Sequence, residues 1–324
     1  MLFAVCALMA RPCAAQEAPS VEDGNVPPAL DRMYVKGIQF LVKNQNADGS
    51  WQGQYGSEPA VVGLAVLSIL AHGEDPNFGP YSRTVHRGID YILQAANADT
   101  GYIGSSMYNH GFSTLTLAEA YGVVNDPRIG PALQKAVDLI LTSQANNPYN
   151  AWRYSPESAD ADTTVSGAQI VALFAARNAG IGVPEPALQK ALRFIIDAQT
   201  PDGGIGYTGP GGPDGARTAI GALVLALAKR QKSIPFQAAF RYLKQAGIAN
   251  NDGYYQYYLY YAAQAFFRGP RTAWEPWNQA NIKSLAETQD DDGGWEGNMG
   301  PPFTTSASLL SLALNYRFLP IYER

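Results

Sequence analysis

Two acids one residue apart, Asp160 and Asp162, are the strongest chemical feature of the sequence, in the run Asp160-Ala161-Asp162-Thr163-Thr164. Neighbouring carboxylates buried together hold one proton between them, which is what a general acid needs. The run opens an apolar helix, whose positive end favours the anion instead. An Asp just before a helix is also its ordinary N-terminal cap, so a purely structural role stays open for both acids.

A second group is Tyr108-Asn109-His110-Gly111, with Glu119 further along the same segment. His110 is the histidine expected to face an interior cavity, because His72 sits in the turn Ala71-His72-Gly73 and His86 on a more polar helix. There it would act as a base or as a hydrogen-bonded structural residue. Tyrosines crowd the run Tyr254-Tyr255-Gln256-Tyr257-Tyr258-Leu259-Tyr260-Tyr261. Aromatic faces stabilise cations and stack on sugars, which makes Tyr257, Tyr258 and Tyr261, with Tyr108 and Trp295, candidates for a ligand-binding wall. Core packing accounts for part of the same cluster. Arg217 follows a glycine-rich stretch and precedes an apolar helix, where it would meet a diphosphate or a carboxylate. Thr163, beside the acids, completes the binding candidates. The glycine-rich stretch has no Lys and no phosphate-loop spacing, so it is a loop.

The elements that must position these residues repeat along the chain. Phe40-Leu41 leads to Gln45 and Gly49-Ser50-Trp51; Phe194-Ile195 leads to Gln199 and Asp202-Gly203-Gly204; Leu285 leads to Gln289 and Asp292-Gly293-Gly294-Trp295. Weaker copies end near Gly101-Tyr102, Trp152 and Asp252-Gly253-Tyr254. The marker positions 45, 96, 144, 199, 247 and 289 define six units, spaced about 40 to 55 residues apart, a helical-repeat period. In each unit an amphipathic helix ends at the marker, a turn of Asn, Asp and Gly follows, and a second helix begins that carries hardly a charge. These second helices, Val61–Ala71, Ser113–Tyr121, Thr164–Ala176, Thr218–Ala228, Tyr258–Phe267 and Thr305–Asn315, are expected to be buried nearly all round. The expected fold is therefore all-α: an α/α toroid, or barrel, of six helical hairpins with an inner and an outer ring. An open solenoid is the alternative, disfavoured because the chain lacks the polar capping repeats that it would need.

Composition narrows the chemistry. Apolar residues make up 46% and charged residues 16%, enough for a large core. The net charge is -5 with no basic run, so no nucleic-acid partner is expected, while contact with a membrane surface is left open. Leu2 to Ala10 form a short apolar run leading to Cys13-Ala14-Ala15, which predicts a signal peptide over 1–15 and a secreted, periplasmic or cell-envelope location. A linker over 16–28 and a single repeat domain over 29–324 follow. Both cysteines, Cys6 and Cys13, fall in the leader, so the mature chain offers no thiolate for zinc; neither metal nor cofactor is expected.

The pattern Lys36-Gly37-x-x-Phe40-Leu41-x-x-x-Gln45-x-x-x-Gly49-x-Trp51 resembles the QW repeat of the prenyltransferase/squalene oxidase repeat family. That repeat occurs in squalene and oxidosqualene cyclases and in protein prenyltransferase β subunits, and the chain is most similar to squalene-cyclase-like, single-domain secreted members. With the degenerate copies the resemblance covers residues 29–324. It implies a toroid, with the repeat Gln and aromatic residues tying helix ends together. The run at 160–163 resembles the Asp-x-Asp-Asp motif of class II terpene cyclases, which implies Asp162 as the general acid and Asp160 as its partner. Thr163 stands where that motif has a third Asp. Protein prenylation is excluded with the missing cysteine.

The sequence admits three functions. One is a terpene-cyclase-like isomerase or lyase that protonates and cyclises an isoprenoid. Another is a cell-envelope toroid that binds or cleaves a glycan, and the third is a non-catalytic repeat scaffold. The expected ligand is thus an apolar small molecule or a glycan.

Overall fold

The computed structural model describes residues 26–248 and 254–323; the expected leader and most of the linker lie outside them. The described residues form twelve α-helices and two short 3-10 turns, with no strand beyond isolated bridges. Six helices make an outer ring: α1 (Pro28–Lys43), α3 (Ser82–Gln94), α5 (Ile129–Asn146), α7 (Glu185–Asp197), α9 (Ile234–Ala246) and α11 (Arg271–Thr288). Six make an inner ring: α2 (Pro59–Leu70), α4 (Met107–Ala120), α6 (Thr163–Asn178), α8 (Gly215–Leu227), α10 (Tyr255–Arg268) and α12 (Pro301–Leu312).

Burial follows the patterning. Every residue of α2 is buried, whereas α1 buries only the stripe Leu30, Met33, Tyr34, Gly37, Ile38, Phe40 and Leu41. A helix without a polar face has to be covered on all sides, and the outer ring supplies that cover. Each inner helix packs on the next, and α12 packs on α2, so the ring closes as an α/α toroid of six hairpins.

Repeated side chains fix the hairpins to one another. The Gln45 amide donates to the carbonyls of Gly49 and Thr84, Gln144 to those of Asn150 and Ala187, and Gln199 to those of Gly203 and Pro235. Gln289 donates to Gly293 and to Met33, so the same device that joins neighbouring units also closes the ring. At the turn itself Gly293 has φ +94°, and a Cβ there would stand 2.5 Å from the Lys36 carbonyl oxygen. Only glycine meets both demands.

Several inner helices start earlier than the apolar pattern suggests. Ser106 accepts a hydrogen bond from the Asn109 N–H, so α4 begins at Met107 and carries Tyr108 and His110 within its first turn. Prolines 301 and 302 occupy the first turn of α12, where a missing N–H costs nothing. At the opposite end of the barrel the C-terminal turn Pro320–Tyr322 is fastened by Glu119, which accepts the Ile321 N–H at 3.3 Å, and by Arg268, which donates to the Ile321 carbonyl.

Candidate functional site

All six inner helices begin at one end of the barrel, and their first turns surround a cavity of about 610 Å³. Ala60 and Val61 come from α2, Tyr108 and Phe112 from α4, Thr164 from α6, Ala216 and Arg217 from α8, Tyr257 from α10 and Phe303 from α12. Loop residues Tyr55, Tyr154, Tyr207, Tyr254 and Met299 raise the wall, and Glu58 and Asp214 add two carboxylates. A second depression of about 650 Å³ lies outside the ring, along α7 beside Tyr149 and Thr208. It gathers no inner helix, so the interior cavity is the candidate site.

Asp162 is fully buried behind this wall as the N-cap of α6. Its Oδ1 accepts the N–H groups of Thr164 and Val165 at 2.8 and 2.9 Å and the Thr164 hydroxyl at 2.6 Å. Three donors saturate that oxygen. Oδ2 has no hydrogen bond and lies 3.4 Å from Arg153 Nε. Because Thr164 spends its proton on Asp162, its oxygen receives the Tyr108 hydroxyl at 2.5 Å, and a hydrogen-bonded chain leads from the buried acid to the cavity wall. Burial, with smaller contributions from neighbouring phenols and from the Asp162 carboxyl, pushes the phenols of Tyr108, Tyr207 and Tyr257 above their usual range.

The expected partner acid is elsewhere. Asp160 is 63% exposed and pairs with Arg153 at 3.0 Å, so the two acids do not share a proton in one pocket. Arg153 is itself stacked between rings, 4.9 Å from the Tyr154 centroid and 5.2 Å from that of Tyr207, whose hydroxyls meet at 2.5 Å. Thr163 does not line the cavity; its hydroxyl donates to the carbonyls of Gly206 and Tyr207 and so holds the loop that carries Tyr207.

His110 faces away from the cavity, against expectation. Its Nδ1 accepts the Ile103 N–H at 3.1 Å, which leaves the proton on Nε2, directed to the Ala136 carbonyl at 3.0 Å. Burial lowers its pKa to about 4, so the neutral ring is a bolt between α4 and α5. Tyr258 likewise turns outward, donating to the Gly247 carbonyl at the end of α9. Trp295 is 1% exposed and donates to Leu285 at 3.0 Å, just as Trp51 and Trp152 donate to Leu41 and Ile140. It is therefore a fastening of its hairpin and lies outside the cavity lining.

Tyr108, Tyr257 and Arg217 do line the cavity. Arg217 pairs with Asp214 at 2.9 Å and donates to the Gly212 carbonyl, which leaves it braced across the mouth. Tyr261 lies one turn deeper, edge-on to Tyr257 with centroids 5.0 Å apart. Of the lining residues that the sequence pattern did not single out, Tyr154, Tyr207 and Glu58 sit in the segments between helices, where no periodicity marks an inward face, and Phe112 and Phe303 sit on helices buried on nearly every side.

Among the described residues no group of three potential metal ligands occurs, and no helix is long and apolar enough to cross a membrane. No family model matches the chain. Its fold is shared by the type II terpene cyclase MstE from Scytonema, at TM-score 0.64 and 16% identity, covering 90% of this chain and 99% of that one. A family 76 glycoside hydrolase from a bovine Bacteroides thetaiotaomicron strain superposes at TM-score 0.66 and 10% identity, covering 89% and 77%. The GH76A alpha-1,6-mannanase from Salegentibacter superposes at TM-score 0.66 and 8% identity, covering 88% and 98%.

Proposed function

We propose that the chain is a terpene-cyclase-like toroid that holds an isoprenoid in the cavity and uses Asp162 to protonate it. The observation that carries the reading is the geometry of the Asp162 carboxyl: Oδ1 is saturated by three donors, whereas Oδ2, behind the aromatic wall, makes no hydrogen bond, lies 3.4 Å from Arg153 Nε, and is the oxygen that would take up and release a proton. Alkene protonation creates a carbocation, and the faces of Tyr108, Tyr257, Phe112 and Phe303 are the groups that stabilise one without reacting with it. A volume near 610 Å³ suits one small molecule. A single-residue variant of MstE has been solved in complex with geranylgeranyl dihydroxybenzoate as substrate, which makes a prenyl chain on an aromatic head a sensible first probe. The secreted or envelope location expected from the leader belongs to the same proposal.

A glycan-active toroid is the second reading, favoured by the two carboxylates Glu58 and Asp214 on one tyrosine-rich cavity. It ranks lower because Asp214 is already engaged as the cap of α8 and the partner of Arg217. Incubation with squalene, a geranylgeranyl-bearing aromatic acid and alpha-1,6-mannan separates the readings. The proposal predicts a cyclised prenyl product that Asp162→Asn abolishes; mannan cleavage, or prenyl turnover indifferent to Asp162, would overturn it.

A further inference from the structure

Charges at the cavity mouth do not balance. Arg153 and Arg217 stand among four carboxylates, Glu58, Asp160, Asp162 and Asp214. Arg217 is taken by Asp214, and Arg153 by Asp160 with Asp162 close by. Glu58 remains. Its carboxylate makes no hydrogen bond or ion pair among the described residues, does not cap the helix it precedes, and lines the cavity.

Six helix N-termini aimed at one space would ordinarily attract an anion. Here the protein already answers most of them. Ser106, Asp162 and Asp214 cap α4, α6 and α8. Prolines stand in the first turns of α2 and α12 and have no N–H to offer, and the next donor of α2, the Ala60 N–H, goes to Asn109 Oδ1. What is left facing the cavity is an unpaired carboxylate among aromatic rings, the environment that recognises quaternary ammonium groups.

We propose that the cavity accepts an apolar organic cation, an ammonium head on a hydrocarbon, with Glu58 as its counter-ion and tyrosine faces as its walls. The proposal rests on the cavity being an apolar-ligand site, as in the preceding reading, but not on turnover. A neutral sugar can give Glu58 a hydroxyl but no charge to neutralise it, and an anionic head is repelled by it and would have to sit beside Arg217 instead.

Calorimetric titration of the full chain with hexyltrimethylammonium, hexanol and hexanesulfonate tests this. The ammonium is expected to bind at least about tenfold more tightly than either of the others, and Glu58→Gln to reduce that preference by about tenfold while leaving hexanol unaffected. Equal or tighter binding of the sulfonate, or a preference that survives Glu58→Gln, overturns the proposal. Hexanol binding without ammonium preference overturns it alone and spares the isoprenoid reading; no binding by any of the three overturns both. Because the wild-type comparison needs no variant, the result stands even if Glu58→Gln were poorly folded.

Discussion

Asp162 and Tyr108 are joined through one hydroxyl: Thr164 Oγ1 lies 2.6 Å from the carboxylate and 2.5 Å from the phenol. This link ties the cap of α6 to the wall of the cavity, so the position that organises a helix start is also the one nearest to acid chemistry. Thr164→Val breaks the link while leaving both backbone donors to Asp162. It should cost about 1–2 kcal/mol by denaturant titration and reduce prenyl turnover without abolishing it. Unchanged turnover would show that the chain of hydroxyls has no part in it.

Asp162 is a cap and a proposed acid together, and the two roles separate chemically. Asp162→Asn keeps an oxygen to accept the two N–H groups, so stability should fall by less than about 1 kcal/mol, whereas Asp162→Ala should lose about 1–2 kcal/mol. Equal losses in chemical denaturation would mean that the cap contributes little.

Gln289→Ala removes the bond to Met33 that joins α11 to α1 where the ring closes, and the bond to Gly293 within its own turn. A loss of about 1–3 kcal/mol is expected, with hexanol or prenyl affinity unchanged, because the cavity lies on the inner helices. A change confined to affinity would contradict the assignment of this glutamine to stability.

His110 titrates at about 4 in the folded chain, below its ordinary value, because burial penalises the imidazolium. The unfolded chain therefore binds the proton first as pH falls, and stability drops between about pH 6.5 and 4, by up to roughly 3 kcal/mol from this group. Glu119 works in the opposite direction: burial raises its carboxyl to about 8, so its contribution is present below about pH 4.5 and is lost as pH rises towards 8. The two overlap, so they are best read separately. NMR should show the His110 ring neutral down to about pH 4, and Glu119→Gln should flatten the loss of stability between pH 5 and 8. A His110 midpoint near 6.5, or an unaltered pH slope in the Glu119 variant, would contradict these environments.

How much of this was legible in the sequence depends on what each residue answers to. The inner helices could be read because twelve consecutive buried residues, as in α2, leave no polar face to hide. That same uniformity conceals orientation. When nearly every side of α4 is buried, nothing in the pattern says that Tyr108 turns to the cavity and His110 to α5, where the Ile103 N–H and the Ala136 carbonyl hold it. Tyr154 and Tyr207 were missed for a related reason: they are set by Arg153 stacking between two loops, a contact across 53 residues of chain that no local spacing encodes.

Solvent isotope labelling follows the proton that Asp162 is proposed to deliver to a prenyl chain in the cavity. With the geranylgeranyl-bearing acid in D₂O, a cyclised product carrying one solvent deuterium is expected by mass spectrometry, and no product from Asp162→Asn. A product without deuterium, or the same labelled product from the Asn variant, would contradict that role for Asp162.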